Sequence, residues 1–336
     1  MTRIFVYEHI SAQGLGREPD SPGHSLFVEG RAMFDAIRED FAAIPGVEVL
    51  VGSSDDFGKL AAESDWSFVI APETDGVLLR LANEVERVGG RWLGPSPHAI
   101  ALASDKFAMY RHWKQRGVRT PETVLVPELP PSWPCVVKRR DGAGSEGMRL
   151  VRTEAEYWDL SGSMIAQPFC PGIPVSIAFL IGPHDTIALP PCFQLISTDG
   201  QFRYGGGLLP IAPELAARAE RLGRVALVGV PGLLGYIGVD LILGDAADAR
   251  EDFAVEINPR LTTSYVGLRA WFDGNLMELL LDLMSRPREL PHSLPRSTIR
   301  RVAFSASGNI RIDTFQDHWV AATDPNTAPA NPPRAG

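Results

Sequence analysis

The chain opens on a short apolar run, RIFVY at residues 3–7, and passes into a polar stretch containing glycines. Such a run fits a buried parallel strand. From Ser25 to Ile44 the period changes. Leu26, Met33, Ile37 and Phe41 recur near helical spacing, and Pro45-Gly46 ends the pattern. VEVLV (47–51) and SFVIAP (67–72) predict two more strands, and Asp75 to Val88 a second helix. Strands alternating with helices predict a parallel sheet covered on its faces. Such sheets place ligands at the carboxyl ends of their strands, so Glu8 and Pro72-Glu73-Thr74 fall on the expected functional rim. This first domain is expected over residues 1–100.

The pattern then turns toward strands. Ser104 is a candidate N-cap for a helix ending near Gly117. CVVKRR (135–140), MRLVR (148–152), SMIAQPF (163–169) and PVSIAFLI (174–181) read as strands, and strand-rich sequence continues through IALPPCFQLI. A helix from Pro213 to Val228 precedes two further strands, GYIGVDLIL (235–243) and FAVEINP (253–259), separated by the polar turn GDAADARED. Asn275 to Ser285 reads as a last helix and RVAFSASGNIRI (301–312) as a last strand. The chain end, AATDPNTAPANPPRAG, has no periodicity and is expected to be a disordered tail over 319–336. No internal repeat is visible. The expected class is α/β with lobes of α+β character: a helical linker and small lobe over 101–185, then a larger lobe over 186–318.

Composition narrows the function. A chain of 336 residues can form two or three lobes, and 45% hydrophobic with 22% charged residues is ordinary for a soluble globular protein. The net charge of −9 argues against a nucleic-acid partner. An anionic nucleotide remains open to it through local lysines and backbone N–H groups. Cys135, Cys170 and Cys192 have no metal-type pairing, and each reads as a reduced core residue. The opening MTRIFVYEHI is too weak for a signal peptide, and no apolar run approaches the ~18 residues of a membrane span. The expectation is a cytoplasmic enzyme acting on small molecules, with no membrane partner; a homodimer is compatible with it.

Three segments carry candidate chemistry. In VVKRRDGAGSEGMRLV, an apolar strand bears Lys138, and a loop with Gly142, Gly144 and Gly147 follows. Glycines let backbone N–H groups approach phosphate oxygens, and a neighbouring lysine neutralises them. The same glycines would equally serve a flexible hairpin turn. It is not a P-loop, because the Gly-Lys-Ser/Thr order is absent and a strand follows. In GVDLILGDAADAREDFAVEINPRLTTSYVG, Asp240 lies inside one apolar strand, and Glu256 and Asn258 share a face of the next. If the two strands pair across the polar turn, Asp240 joins them. Two carboxylates and an amide oxygen suit Mg²⁺ that also grips phosphates. Arg260, two residues on, is placed to stabilise phosphoryl charge. Solvent-facing edge charges are the alternative, but both acids have apolar neighbours and buried acids need partners. In ALASDKFAMYRHWKQRGVRTPE, Lys106 falls in the first turn of a helix, where an anion site or a plain surface lysine would both fit.

Together and in this order, the segments resemble the ATP-grasp superfamily over about residues 3–315. The resemblance implies an ATP-grasp fold with an N-terminal preATP-grasp parallel-sheet domain. It implies that Lys106 and Lys138 bind ATP phosphates under the loop Asp141–Gly147, with Ser145 among its donors. Gln167, Pro168 and Phe169 would receive adenine; Asp240, Glu256 and Asn258 would hold Mg²⁺ (or Mn²⁺); Arg260 and Lys138 would act on the transferred phosphoryl group. Such enzymes phosphorylate a carboxylate and let an amine attack the acyl-phosphate. Two departures stand out. Many relatives carry a Glu after the hinge for the ribose, where this chain has Pro174, and Gln167-Pro168 replaces a frequent acidic pair. Within the superfamily, IFVYEHI, GAGSEGM and EINPRLTTSYVGL look like the tyramine–glutamate ligases of methanofuran biosynthesis. That implies an amino acid and an amine as substrates.

Candidate substrate contacts follow from loop chemistry. Arg203 and Tyr204 precede Gly205–Gly207, a run suited to close approach to a ligand, to a mobile lid, or to a hairpin. Thr262, Thr263, Ser264 and Tyr265 offer hydroxyls beyond Arg260. His9, His24, His98 and His112 lack ligand spacing, and the tryptophans read as packing groups. Two rivals remain at this stage. A nucleotide-sensing protein need not keep the phosphoryl-transfer residues, and another ATP-grasp ligase or carboxylase would keep them.

Overall fold

The first apolar run becomes the middle strand of a parallel sheet. β1 (Thr2–Glu8) lies between β2 (Val47–Leu50) and β3 (Trp66–Ile70). The computed structural model describes residues 1–314 other than Pro22, Glu146, Asp159, Ser161 and 286–299, so the tail expected over 319–336 lies outside the described residues. Glu8 ends β1 and caps the short α1 (His9–Ala12), accepting from the Ile10 and Ser11 amides. The long α2 (His24–Ala42) buries Met33, Phe34, Ile37 and Phe41. The helix α3 (Phe57–Glu63) precedes β3, and a 3₁₀ turn at Thr74–Gly76 leads into α4 (Val77–Arg87).

Two helices connect this domain to the rest. Ser96 caps α5 (Pro97–Ser104), and Asp105 caps α6 (Lys106–Gln115), accepting from the Phe107 and Ala108 amides. The cap expected at Ser104 is therefore corrected. Ser104 closes the preceding helix, and the carboxylate beside it, a stronger acceptor, starts the next one.

The small lobe is an antiparallel sheet ordered β4-β7-β5-β6, from β4 (Val124–Leu125), β5 (Cys135–Arg139), β6 (Arg149–Val151) and β7 (Met164–Pro168). With α7 (Glu154–Trp158) it encloses its own core of Cys135, Val137, Val151, Tyr157 and Ala166. The large sheet has eight strands: β8 (Ile173–Ile181), β9 (Thr186–Ala188), β10 (Cys192–Ile196), β11 (Tyr204–Leu209), β12 (Gly235–Leu243), β13 (Phe253–Asn258), β14 (Arg300–Ser305) and β15 (Ile310–Thr314). Its order is β13-β12-β8-β10-β11-β14-β15, with β9 on β8. The nine β8 residues all pair with β12, so this strand, expected in the small lobe, belongs to the large sheet. The helices α8 (Pro213–Leu227), α9 (Ser264–Trp271) and α10 (Leu276–Ser285) complete the lobe.

Two further expectations change. The glycine run is the hairpin alternative rather than a lid, because Gly205–Gly207 lie in β11, which pairs antiparallel with the preceding β10 and with β14. A Cβ on Gly206, whose φ is +127°, would stand 2.0 Å from the Phe304 carbonyl oxygen, so only glycine fits. Residues 301–312 are not one strand but the hairpin β14–β15, turning at Gly308. Ser264 and Tyr265 start α9. The cysteines are free, with Cys135 and Cys192 buried and Cys170 partly exposed. One core cluster joins the first domain to the large lobe. Phe41, Trp66 and Phe68 pack there with Tyr265, Leu268, Trp271 and Leu280. Each such side chain contributes roughly 1.5–3 kcal/mol on burial, enough to fix the sheet rim against the large lobe.

Candidate active site

The apolar strands β12 and β13 bury their acids because the polar turn between them brings the strands into register. Asp240 pairs with Glu256 across the ladder, and the register shifts just beyond Asp240. Asn258 lies on the same face of β13 as Glu256 and donates from Nδ2 to Asp240 Oδ2 at 2.9 Å. Gln194 of β10 donates to Asp240 Oδ1 at 3.0 Å, and the Ser176 hydroxyl on β8 also bonds this carboxylate. Two lysines converge on Glu256 from other elements. Lys106 Nζ, in the first turn of α6, lies 2.9 Å from Oε1. Lys138 Nζ, on β5, lies 4.0 Å from Oε2. Both lysines are buried, which corrects the surface-lysine alternative for Lys106.

The electrostatics show a site short of anions on one side and of cations on the other. Burial pushes the Lys138 ammonium down to about 8, with Lys106 adding to the effect and Glu256 and Asp240 opposing it. Burial also works to raise the Glu256 carboxyl, but Lys106 and Lys138 outweigh it and hold it below the usual carboxylate value. Asp240 is raised, first by burial and then by the charge of Glu256. A hard divalent cation between the two acids would relieve that strain, and two carboxylates with an amide fit Mg²⁺. Among the described residues no group of three His, Cys, Asp or Glu gathers as a metal set, so an amide oxygen and substrate oxygens would have to complete the shell.

The rim of the first sheet closes the site from the other side. Glu73, just past β3, pairs with Arg260: its Oε2 accepts from Nε at 3.0 Å, and its Oε1 lies 2.9 Å from the same nitrogen. Arg260 also donates to the Leu261 carbonyl oxygen at 3.0 Å. Burial lowers the guanidinium, yet Glu73, Glu256 and Glu29 raise it above its ordinary value. The glycine loop is tied to the same rim. The Ala143 amide donates to Thr74 Oγ1 at 3.1 Å and the Asp75 amide to Asp141 Oδ2 at 2.9 Å. Lys106 Nζ donates to the Gly142 carbonyl oxygen at 2.5 Å. Gly142 is buried, Gly144 and Gly147 are exposed with positive φ, and Ser145 lies between them. At the expected adenine hinge, Gln167 is buried and donates to Thr123 Oγ1 at 2.9 Å. The Phe169 amide donates to the Pro134 carbonyl oxygen, and its half-exposed ring lies 6.3 Å from Phe202. Pro168 ends β7, and Pro174 sits in β8 opposite Ile242.

The expected substrate residues separate. Thr262 and Ser264 form a hydroxyl network with Tyr236, with distances of 3.0, 3.3 and 2.8 Å. Thr263 donates to Glu29 Oε2 at 3.0 Å. The Tyr204 phenol is raised well above its usual value by burial, then by the fields of Cys192, Glu29 and Asp240, which places it beside the site. Two expectations are corrected. Tyr265 is fully buried in the interdomain core and donates its hydroxyl to Asp40, which leaves no access for a substrate. Arg203 is exposed at the β10–β11 turn and engaged by Asp199 and Gln201 of that turn. Sequence reading missed Ser176, Gln194, Tyr236 and Glu29, and it placed Glu73 on the rim without its partner. A cavity of about 420 Å³, lined by Tyr7, His9, Gln13, Phe57, Lys59 and Glu84 among others, shares no residue with this cluster.

Known proteins carry the same arrangement of domains. Residues 103–264 match the family described as ATP-grasp domain, and residues 43–100 match the pre ATP-grasp 3 domain. The chain belongs to the ATP-grasp proteins. It is similar to tyramine–L-glutamate ligase of Methanocaldococcus fervens, 27% identical across 83% of this chain and 92% of that one. It is also similar to D-alanine–D-alanine ligase of Petrotoga mobilis, 25% identical across 62% and 75%. In fold it matches an ATP-grasp superfamily protein from Archaeoglobus fulgidus, with a TM-score of 0.69, 24% identity, and coverage of 94% of this chain and 100% of that one. Within the ATP-grasp proteins, it is an ATP-dependent, ADP-forming ligase that makes C–N bonds. Among the described residues no helix is long and apolar enough to cross a membrane.

Proposed function

We propose that this chain activates the γ-carboxylate of L-glutamate with ATP and passes the acyl group to tyramine or a related amine. The observation that supports the chemistry best is the gathering of Lys106, Lys138 and Asp240, from separate stretches of sequence, around Glu256, with Asn258 of the same strand bonded to Asp240. In this reading Lys106 and Lys138 hold the ATP phosphates, and backbone N–H groups around Gly142, Gly144, Ser145 and Gly147 close over them. Gln167, Pro168 and Phe169 receive adenine. Asp240, Glu256 and Asn258 hold Mg²⁺ or Mn²⁺, which when bound neutralises phosphate charge. As nucleotide enters, Lys106 and Lys138 exchange Glu256 for phosphate oxygens and free that carboxylate for the cation. Arg260, steadied by Glu73, faces the equatorial oxygens of the moving phosphoryl group. A carboxylate oxygen of the acid attacks the γ-phosphorus and ADP leaves. The amine then attacks the acyl carbon and phosphate leaves. The protein's part is positioning and charge neutralisation.

The similarity to tyramine–L-glutamate ligase supports the choice of substrates; a place in methanofuran-type cofactor synthesis and one-carbon metabolism, in the cytoplasm, is part of the same proposal. The test is to supply ATP, Mg²⁺, L-glutamate and tyramine and to seek the γ-glutamyl amide by mass spectrometry, with hydroxylamine as a trap for the activated acid. A hydroxamate without the tyramine amide would keep the ligase and discard the amine. ATP-dependent phosphorylation of a stable hydroxyl compound, with no amide from any amine, would make the protein a kinase on this fold.

A further inference from the structure

Helix α2 approaches the site more closely than a helix with an ordinary side chain at position 30 could. A Cβ on Gly30 would stand 2.7 Å from Glu8 Oε1 at the carboxyl end of β1. That close approach sets the neighbouring Glu29 against the loop after β13. There it accepts from Thr263 Oγ1 at 3.0 Å and lies within the field of Arg260. Among the described residues no Lys, Arg or His comes within ion-pair distance of Glu29. The surrounding cations are already engaged, Lys106 and Lys138 by Glu256 and Arg260 by Glu73. Four carboxylates, Glu29, Glu73, Asp240 and Glu256, thus face three cations, which Glu73 and Glu256 take; of the two left over, Asp240 is bonded by Asn258, Gln194 and Ser176, whereas Glu29 accepts from Thr263. Burial raises its carboxyl, and the Thr263 bond and the Arg260 charge oppose this without cancelling it. A partly buried carboxylate in that state gains from an incoming cation. Phosphates and a carboxylate substrate would be repelled there. An alkylammonium would be held by charge and hydrogen bonds together, close to the Tyr204 phenol, which feels the charges of both Glu29 and Asp240.

We infer that Glu29 receives the alkylammonium group of a substrate in the acyl-transfer site, an inference that rests on the ligase reading above. The ammonium belongs either to the amino acid that supplies the carboxylate or to the amine that accepts the acyl group. Steady-state kinetics of Glu29→Gln and Glu29→Asp distinguish the two. With the charge removed in Glu29→Gln, KM for one substrate should rise about tenfold or more, the scale of a charged hydrogen bond, while KM for ATP holds. An effect on the amine that disappears with hydroxylamine, uncharged at neutral pH, identifies the acceptor. An effect on the acid with either acceptor identifies the donor. Glu29→Asp, which keeps the charge, should remain closer to wild type than Glu29→Gln, and a merely structural hydrogen bond to Thr263 would not produce that order. Unchanged KM for acid and amine in a folded Glu29→Gln would overturn the inference. No ADP release by the wild-type protein with any acid and amine would instead remove the ligase reading, and this assignment with it.

Discussion

Replacing Glu256 with Gln separates two effects that are joined in the wild-type site. Glu256 is the direct counter-ion of Lys106 and the nearer one of Lys138, and all three side chains are largely buried. Breaking a buried pair costs about 3–5 kcal/mol. The low end applies, because Lys138 is already pushed down to about 8 and can shed its proton. A loss of ~3 kcal/mol corresponds to a fall in Tm of roughly 6–10 °C for a domain of this scale. Binding should move in opposite directions. Without metal, the Glu256 charge repels the phosphates; at ~7 Å and an effective dielectric of ~20 this is about 2 kcal/mol. Glu256→Gln should therefore bind metal-free ATP at least ~10-fold more tightly. Its Mg²⁺-dependent turnover should fall ~100-fold or more, because several kcal/mol of transition-state charge stabilisation go with the cation. Titration calorimetry with and without Mg²⁺, beside thermal melting, reads all three. Weaker metal-free ATP binding with an unchanged Tm would refute the idea that Glu256 holds the lysines until nucleotide arrives.

Lys138→Ala should weaken binding of a non-hydrolysable ATP analogue by roughly 1.5–3 kcal/mol, the range for a charged hydrogen bond; unchanged affinity in a folded variant removes Lys138 from the site. Because the folded state raises the Glu29 carboxyl, it holds a proton that the unfolded chain releases, and stability falls as pH rises from the ordinary value of 4.5 through the raised one. Glu29→Gln cannot ionise, so it should melt above wild type at pH 7, with the gap closing toward pH 4.5; a gap that widens on acidification contradicts the burial argument. Gly206→Ala should lower Tm by several degrees or prevent folding, since its methyl would overlap the Phe304 carbonyl in the middle of the sheet; a wild-type melt would show that β11 can shift.

The sequence carried the site where a strand identified itself. GYIGVDLIL is a continuous apolar run broken only by Asp240, and that single acid marked both the strand and its chemistry. The i, i+2 spacing of Glu256 and Asn258 fixed their shared face before any pairing was known. What escaped reading depends on packing between distant segments. Ser176 and Gln194 matter only because β8 and β10 run beside β12. Glu29 looks like any polar residue on a surface helix until Gly30 brings α2 against Glu8. The hydroxyls after Arg260 read as substrate contacts, but the apolar residues that follow them, Val266, Leu268 and Trp271, make α9 and draw Tyr265 into the core.

The most direct test of the account follows the oxygen atoms. If the acid is activated as an acyl-phosphate, an ¹⁸O-labelled carboxylate should deliver one label to inorganic phosphate for each amide formed, with ADP as the other product. Label found in AMP would mean that an acyl-adenylate is the activated species. Label absent from phosphate while ADP accumulates would mean that the carboxylate never attacks phosphorus. Either result would contradict the assignment of Lys106, Lys138, Asp240, Glu256 and Arg260 to γ-phosphoryl transfer.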